Sequence, residues 1–362
     1  MFYFSVSETH DAARTADGIL RLKESMAQEG IPARGPDTTL IATWNIREFD
    51  SNAYGPRSLE CLHYIAEICS KFDIIAIQEV REKLDALVKV CDLMGADWRF
   101  IVSDVSEGKP GNRERMAFVY DSCKVTFTGL AGEIVMPPIE VKENGKIVRY
   151  DPARQLYRTP FIVGFQSGWT TLQLCTVHIL YGKDEANNAE RTREIDAVAR
   201  FLAKRANEGQ IEDANLVLLG DFNIFSPGDV TMKAITDAGF VIPEELQNVP
   251  ATNTGKRKRH YDQIAIMPQM WRMEPTGRAG VFDFFNTVYR ATADDEAAYA
   301  AEMGDAYHVT SRGEIRTKSG KTRYYRTYWR THQMSDHLPM WLEIRSNYSQ
   351  EYQREFVPDG GP

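Results

Sequence analysis

The chain has 362 residues, 43% of them hydrophobic and 11% aromatic, and a formal net charge of −8. That is enough apolar material for one large core or two small ones, and no run approaches the roughly 18 apolar residues of a membrane span. The N-terminus lacks the basic and apolar regions of a secretory signal. The five cysteines (Cys61, Cys69, Cys91, Cys123 and Cys175) are scattered, odd in number and free of any CxxC pair, which predicts reduced core thiols and a cytoplasmic protein.

Along the chain, Ala12, Ala16, Ile19, Leu20, Leu22 and Met26 predict an amphipathic helix ended by Gly30 and Pro32, inside an N-terminal arm of residues 1–38. From Thr39 the pattern alternates. Strands are predicted at 40–45, 73–80, 98–103, 115–120, 124–128, 160–166, 171–178, 215–220, 262–267 and 338–345. Helices are predicted at 58–71, 82–94, 187–207 and 229–238. Such mixing argues for an α/β fold, either two packed sheets covered by helices or a doubly wound sheet. Residues 136–157 and 288–334 interrupt it as long polar or charged excursions, which in a compact domain are usually functional or mobile. No Pro/Gly/Ser linker divides the chain. One domain therefore covers 39–346, with a basic insertion at about 288–334 and a C-terminal tail at 347–362.

The net charge hides an uneven distribution. Residues 256–259 read Lys-Arg-Lys-Arg, and residues 311–334 carry Arg312, Arg316, Lys318, Lys321, Arg323, Arg326 and Arg330 against the single acid Glu314. In residues 321–330 these cations interleave with Tyr324, Tyr325, Tyr328 and Trp329. Cations for phosphates beside aromatics for bases suit nucleic acid, and Arg323 and Arg326 are the candidate contacts.

Chemistry-bearing residues gather at strand ends. Ile41-Ala42-Thr43-Trp44-Asn45 ends in an amide, and Ile74 to Arg81 ends in Gln78-Glu79-Val80-Arg81. Cys175-Thr176-Val177-His178 ends in an imidazole. Gly220-Asp221-Phe222-Asn223 follows an apolar run, Tyr261-Asp262-Gln263-Ile264 opens one, and Ser335-Asp336-His337-Leu338-Pro339 opens another. Asp221 and Asn223, two residues apart on an extended segment, are expected to point to the same side. Hard oxygen donors beside histidines suit metal-assisted phosphoester cleavage. His260 and His332 lie in basic loops rather than at strand ends and read as solvated or phosphate-facing.

This ordered set closely resembles the endonuclease/exonuclease/phosphatase superfamily, the DNase I-like fold, over roughly residues 39–346. The resemblance implies a two-layer β-sandwich flanked by helices, in four αββα layers, and divalent-cation-dependent phosphoester cleavage. Mg²⁺ is the implied cofactor, with Mn²⁺ or Ca²⁺ as substitutes. By resemblance, Asn45, Glu79 and Asp336 form the metal environment, and His178 and His337 are the active-site histidines. Asp221 and Asn223 orient water and contact phosphate. Asp262 fixes His337, Glu114 supports His178, and Arg158 contacts phosphate. The implied mechanism is in-line attack of water, with the base open between Asp221 and the His337–Asp262 pair.

Glu79-Val80-Arg81, the Arg158-x-Pro160 pattern and Ala251-Thr252-Asn253-Thr254 look like the DNase I branch, which makes Arg81 and Thr254 substrate contacts. Asn112 stands near the place of that branch's minor-groove tyrosine, and its disulfide cysteines are missing. The first expectation is therefore a DNA endonuclease. The alternatives are a phosphodiesterase or phosphatase acting on a phospholipid, nucleotide or RNA, and a non-catalytic binding protein, which would predict lost ligands. A DNase in the cytoplasm would threaten its host, so control by a regulatory protein partner, a narrow substrate or the N-terminal arm is also expected.

Overall fold

The computed structural model describes residues 1–357 apart from positions 50, 52, 209–214 and 269–271. Strands β1 (Thr38–Phe49), β2 (Ile74–Arg81), β3 (Trp98–Val102), β4 (Glu114–Asp121), β12 (Glu274–Val281) and β13 (Met340–Arg345) form one sheet, in the order β12-β13-β1-β2-β4-β3. Strands β5 (Val125–Glu133), β8 (Phe161–Ser167), β9 (Thr170–His178), β10 (Asn215–Asp221) and β11 (Asp262–Ile266) form the second, in the order β11-β10-β9-β8-β5. Between β5 and β8, β6 (Ile139–Glu143) and β7 (Lys146–Asp151) pair only with each other, as an exposed hairpin.

The central strands are apolar on both faces because both faces are covered. Ile41, Ile74, Ala76, Met116 and Phe118 pack with Phe165, Leu174 and Leu219 of the second sheet, in a core shared with the Ala189–Asn207 helix. Their neighbours Leu40, Ala42, Trp44, Ile75, Ile77, Ala117 and Val119 enter a second core with α1 (Ala12–Gln28), α2 (Leu59–Cys69) and α3 (Asp85–Met94). The period of two thus sorts each strand between two cores. The result is four layers, with two sheets between two layers of helices, as in DNase I-like structures.

Several expectations change. On α1 the buried stripe is Thr15, Gly18, Ile19, Leu22 and Met26, whereas Ala12, Ala16 and Leu20 face solvent. The helix approaches α2 closely because a Cβ at Gly18 would lie 2.2 Å from Tyr64 Oη. Arg14 meets buried Glu60 of α2 and Glu302 of the insertion, each at 2.5 Å. The insertion at 288–334 is largely helical, with segments at Ala293–Ala298 and Lys318–Arg323 and a π-helical turn at Tyr324–Trp329. Tyr289, Tyr299, Tyr324, Tyr325 and Trp329 are buried in the second core, so Tyr324, Tyr325 and Trp329 are not presented to bases. The strand β12 escaped notice because Pro275, Gly277 and Gly280 give it no apolar alternation. Cys123 lies exposed, while the other four cysteines are buried. In the tail, Ser349–Arg354 is helical, and positions 358–362 fall outside the described residues. Among the described residues no helix is long and apolar enough to cross a membrane.

Candidate active site

Strand register brings the polar strand ends to one edge. Parallel β9 and β10 set His178 opposite Asp221, and antiparallel β11 sets Asp262 opposite the same Asp221. In the other sheet, parallel β1 and β2 set Asn45 opposite Gln78. The two edges are tied across the sandwich, because Gln78 Nε2 donates to Thr176 Oγ1 at 2.9 Å and to Thr43 Oγ1 at 3.1 Å. Thr43 and Thr176 stand two residues before Asn45 and His178, and so share their faces.

Glu79 reaches the site by breaking the strand period. Ile74, Ala76 and Gln78 face the other sheet, and simple alternation would turn Glu79 toward α2. Instead β2 bulges, with a register shift between Ile77 and Val80, and Glu79 takes φ 63°. Bulges next to active sites re-aim side chains in this way, and a non-glycine residue at positive φ costs energy that the surrounding structure must offset. The half-buried carboxylate accepts from Asn45 Nδ2 at 3.1 Å and from Glu48 N at 2.8 Å. The second proton of the Asn45 amide goes to Asp221 Oδ2 at 3.0 Å. Asn45 Oδ1 is buried without a hydrogen-bond partner among the described residues.

Asp221 lies between two imidazoles. His178 Nε2 is 3.5 Å and His337 Nε2 is 3.7 Å from Asp221 Oδ2. Each ring has a carboxylate behind it, with Glu114 Oε1 at 2.5 Å from His178 Nδ1 and Asp262 Oδ2 at 2.8 Å from His337 Nδ1. Arg158 in turn pairs with Glu114. Burial and Arg158 act against a charged His178, but Glu114 and Asp221 outweigh them and hold its pKa above the ordinary histidine value. For His337, burial is outweighed by Asp262 and Asp221, so its pKa lies well above the ordinary value. Burial pushes the Glu114 carboxyl up, yet His178 and Arg158 hold it below its usual range. Burial keeps Asp262 above that range, against the pull of His337.

One residue not singled out in the sequence organises this edge. Ser335 is fully buried; its hydroxyl donates to Asn45 O at 2.6 Å and accepts from His337 N at 3.0 Å and Arg47 N at 3.2 Å. Trp44 Nε1 also donates to His337 O, at 2.9 Å. Ser335→Ala leaves three backbone groups without this partner, and a buried unsatisfied group costs about 1–3 kcal/mol. The variant is expected to lose roughly that amount in denaturant unfolding and, through misplaced Asn45 and His337, more than about tenfold in kcat. Wild-type kcat in a folded Ser335→Ala protein would refute this positioning role.

Other expected residues are placed as follows. Asn223 is not on an extended segment: β10 ends at Asp221, and Asn223 turns with φ 54°. Its N–H donates to Asp221 Oδ1 at 2.9 Å, and its amide nitrogen donates to Ile179 O at 2.8 Å, so a local turn makes the proximity. The Asp336 side chain is 46% exposed and faces Arg47 Nε at 4.0 Å. Arg81 donates to the Asn112 carbonyl, and Thr254 N donates to Asp336 O at 2.9 Å. Arg323 and Arg326 are exposed; Arg326 Nη2 donates to Ala291 O at 2.5 Å. His332 is not solvated: it is fully buried, with its pKa pushed down to about 3 by burial, Arg57 and Arg47. His260 is half-buried, and burial lowers its pKa.

Two oxygen-rich clusters could accept a cation. Asp221, Asp262 and His337 each offer a ligand atom within 4.8 Å of the others. His337 Nδ1 is already committed to Asp262 Oδ2 there, so cation binding would compete with a buried hydrogen bond. The Asn45–Glu79 pair would likewise exchange its Nδ2 hydrogen bond for a shared cation. It combines a carboxylate with a buried, unpartnered amide oxygen, the hard donors that Mg²⁺ prefers.

The comparisons agree with this geometry. The sequence profile described as Endonuclease/Exonuclease/phosphatase family matches residues 42–337, which include Asn45, Glu79, His178, Asp221, Asp262 and His337. A Deoxyribonuclease from Thioalkalivibrio sp. is 27% identical over 256 residues, covering 67% of this chain and 62% of its own length. Deoxyribonuclease-1 of Mus musculus is 28% identical over 191 residues, covering 51% of this chain and 60% of its own length. The chain thus spans about three-fifths of the length of these two relatives. A crystal structure of a functionally unknown conserved protein from Enterococcus faecalis shares the fold, with a TM-score of 0.52 and 14% identity over 85% of this chain and 100% of that one. With the site assembled at one edge of a two-sheet sandwich and the profile spanning most of the sequence, this chain belongs to the endonuclease/exonuclease/phosphatase family of hydrolases.

Proposed function

We propose that this protein is a Mg²⁺-dependent phosphodiesterase that cleaves DNA internally. The observation that carries the reading is Asp221 held between two carboxylate-backed imidazoles, beside the Asn45–Glu79 pair with its unpartnered amide oxygen. Asn45 and Glu79 would hold the cation, which, when bound, supplies Lewis-acid stabilisation of the phosphoryl oxygens. Mn²⁺ or Ca²⁺ could replace Mg²⁺ on the same hard donors. Asp336, on the segment that carries His337, adds negative charge near that imidazole.

The side chains divide the remaining work. His178, backed by Glu114, and His337, backed by Asp262, offer hydrogen bonds and, when protonated, positive charge to the phosphoryl oxygens. Asp221, 3.5 Å and 3.7 Å from the two imidazole Nε2 atoms, is placed to orient the attacking water and take its proton. Asn223 fixes the Asp221 rotamer through its N–H. Arg158 holds Glu114 in place and, with Nη1 unpartnered among the described residues, is assigned a phosphate contact.

DNA is favoured over other phosphodiesters by the two deoxyribonuclease relatives. Arg81 and Thr254 would contact the strand beside the site. Arg323 and Arg326, exposed on the insertion, are assigned to its flank.

The test is nicking of supercoiled plasmid with Mg²⁺, with EDTA, and by Glu79→Gln. Chelation or the substitution is expected to lower nicking at least about a hundredfold, the scale of losing electrostatic stabilisation at a developing oxyanion. An intact plasmid together with metal-dependent hydrolysis of bis(p-nitrophenyl) phosphate would move the substrate to a phospholipid, nucleotide or RNA. Full activity in EDTA would sink the metal assignment.

A further inference from the structure

The loop 253–259 carries four consecutive cations, and the fold treats one of them differently from the rest. Arg259 is 8% exposed and turns inward. Its guanidinium lies 3.5 Å from the centre of the Phe225 ring and donates to Tyr181 Oη at 2.8 Å and to Asp184 Oδ1 at 2.6 Å. Buried Arg191 also stands over Phe225, at 4.5 Å, and donates to the carbonyls of Lys183 and Glu185. Two arginines and an aromatic ring thus weld the loops at 179–188, 222–229 and 253–261 into one wall.

The other three cations point to solvent. Lys256, Arg257 and Lys258 are all exposed. Arg257 meets Asp184 at 2.9 Å, whereas Lys256 and Lys258 form no ion pair with a described residue. Their backbone is nevertheless tied down by Asn253: Nδ2 donates to Arg257 O and Oδ1 accepts from Arg259 N, both at 2.9 Å.

This loop is registered directly on the catalytic edge. Asn253 pairs with His337 as an isolated β-bridge, Leu338 N donates to Thr252 O at 2.7 Å, and Thr254 N donates to Asp336 O at 2.9 Å. At its far end the Tyr261 ring lies 5.4 Å from the His337 ring. On a chain of net charge −8, a fixed cluster of three solvent-facing cations beside a phosphoryl site is a local exception that focuses a polyanion there.

We propose that Lys256, Arg257 and Lys258 form a subsite for flanking phosphates, contacting successive phosphodiesters of one polynucleotide strand next to the scissile bond. The proposal rests on the phosphodiesterase reading above for the identity of the scissile group. It adds that the substrate is a polymer with phosphates on the Asp336–His337 side of the bond cut.

The test compares wild type, Lys256→Ala/Arg257→Ala/Lys258→Ala, and a charge control, Arg200→Ala/Lys204→Ala, on the outer Ala189–Asn207 helix. Anisotropy of a fluorescent oligodeoxynucleotide is titrated at several salt concentrations, and hydrolysis of bis(p-nitrophenyl) phosphate is measured on the same proteins. Each single-strand phosphate contact contributes about 0.7 to the slope of log affinity against log salt. The triple variant is expected to flatten that slope by about 2 and to bind at least about tenfold more weakly at low salt. Its loss on DNA should exceed any loss on the small ester, which has no flanking phosphates. The charge control should keep the wild-type slope. An unchanged slope in the triple variant, an equal change in the control, or no binding by wild type would each overturn the subsite. Loop-dependent binding without DNA cleavage would instead leave the subsite standing and remove the nuclease reading.

Discussion

Asp221→Asn should abolish most of the activity, lowering kcat on DNA or on a small phosphodiester by at least about a thousandfold, the range for losing a proton acceptor together with its electrostatic role. The substitution changes almost no volume, and four contacts predict its effect. The carboxylate accepts from Asn45 Nδ2 at 3.0 Å and from Asn223 N at 2.9 Å, and faces both histidine Nε2 atoms within 3.7 Å. An amide here turns an N–H toward groups that are themselves donors. It also removes the counter-charge that helps hold both imidazoles protonated. Steady-state kinetics would be read beside an unfolding curve, because the variant is expected to fold. A loss below about tenfold would move the base to the His337–Asp262 pair, since an authentic base contributes about 10²–10⁴-fold.

Gly220→Ala is expected to act on the fold and to be among the most destabilising single changes in the chain. Gly220 has φ 135°, a conformation that side chains rarely adopt, and it pairs in parallel with Val177. An added Cβ would lie 2.2 Å from Val177 O and 2.8 Å from Val177 N. Both obstacles are backbone, so no rotamer change relieves them; β10 must move off β9. The expected cost is at least about 3 kcal/mol, combining backbone strain with a steric clash in a packed sheet. Urea unfolding would register it as a lower midpoint. The shift would also separate His178 from Asp221 and reduce activity in whatever fraction stays folded. A cost below about 1 kcal/mol would mean the strands can part more easily than their packing indicates.

Much of this site was legible because its signals are local. Apolar runs that end in Asn45, Glu79, His178 and Asp221 announce buried strands with a polar terminus, and both properties depend on adjacent residues. The insertion at 288–334 was misjudged for the complementary reason. Its charges advertise a solvated loop, yet Tyr289, Tyr299, Tyr325 and Trp329 turn inward from a helical backbone against α1 and α2. No periodicity in the segment alone shows which of its mixed residues will find a core to enter. Asn223 is a milder case, lying against Asp221 through a turn rather than along an extended strand.

The sequence by itself therefore determined the alternating elements, the α/β class and the residue types gathered at the strand ends, because hydrophobic periodicity is written within each segment; two sheets rather than one were implied only by the family resemblance. Only the tertiary structure decided how those ends meet. The β2 bulge that swings Glu79 toward Asn45 depends on the strands on either side of β2. The Ser335 hydroxyl that joins Asn45, Arg47 and His337 spans nearly 300 residues. The basic loop 256–258 gains its place beside the site through Asn253, Thr254 and His337. Each of these is a hydrogen bond or a packing contact between residues distant in sequence, whose geometry exists only once both sheets and their helices have closed around a common core.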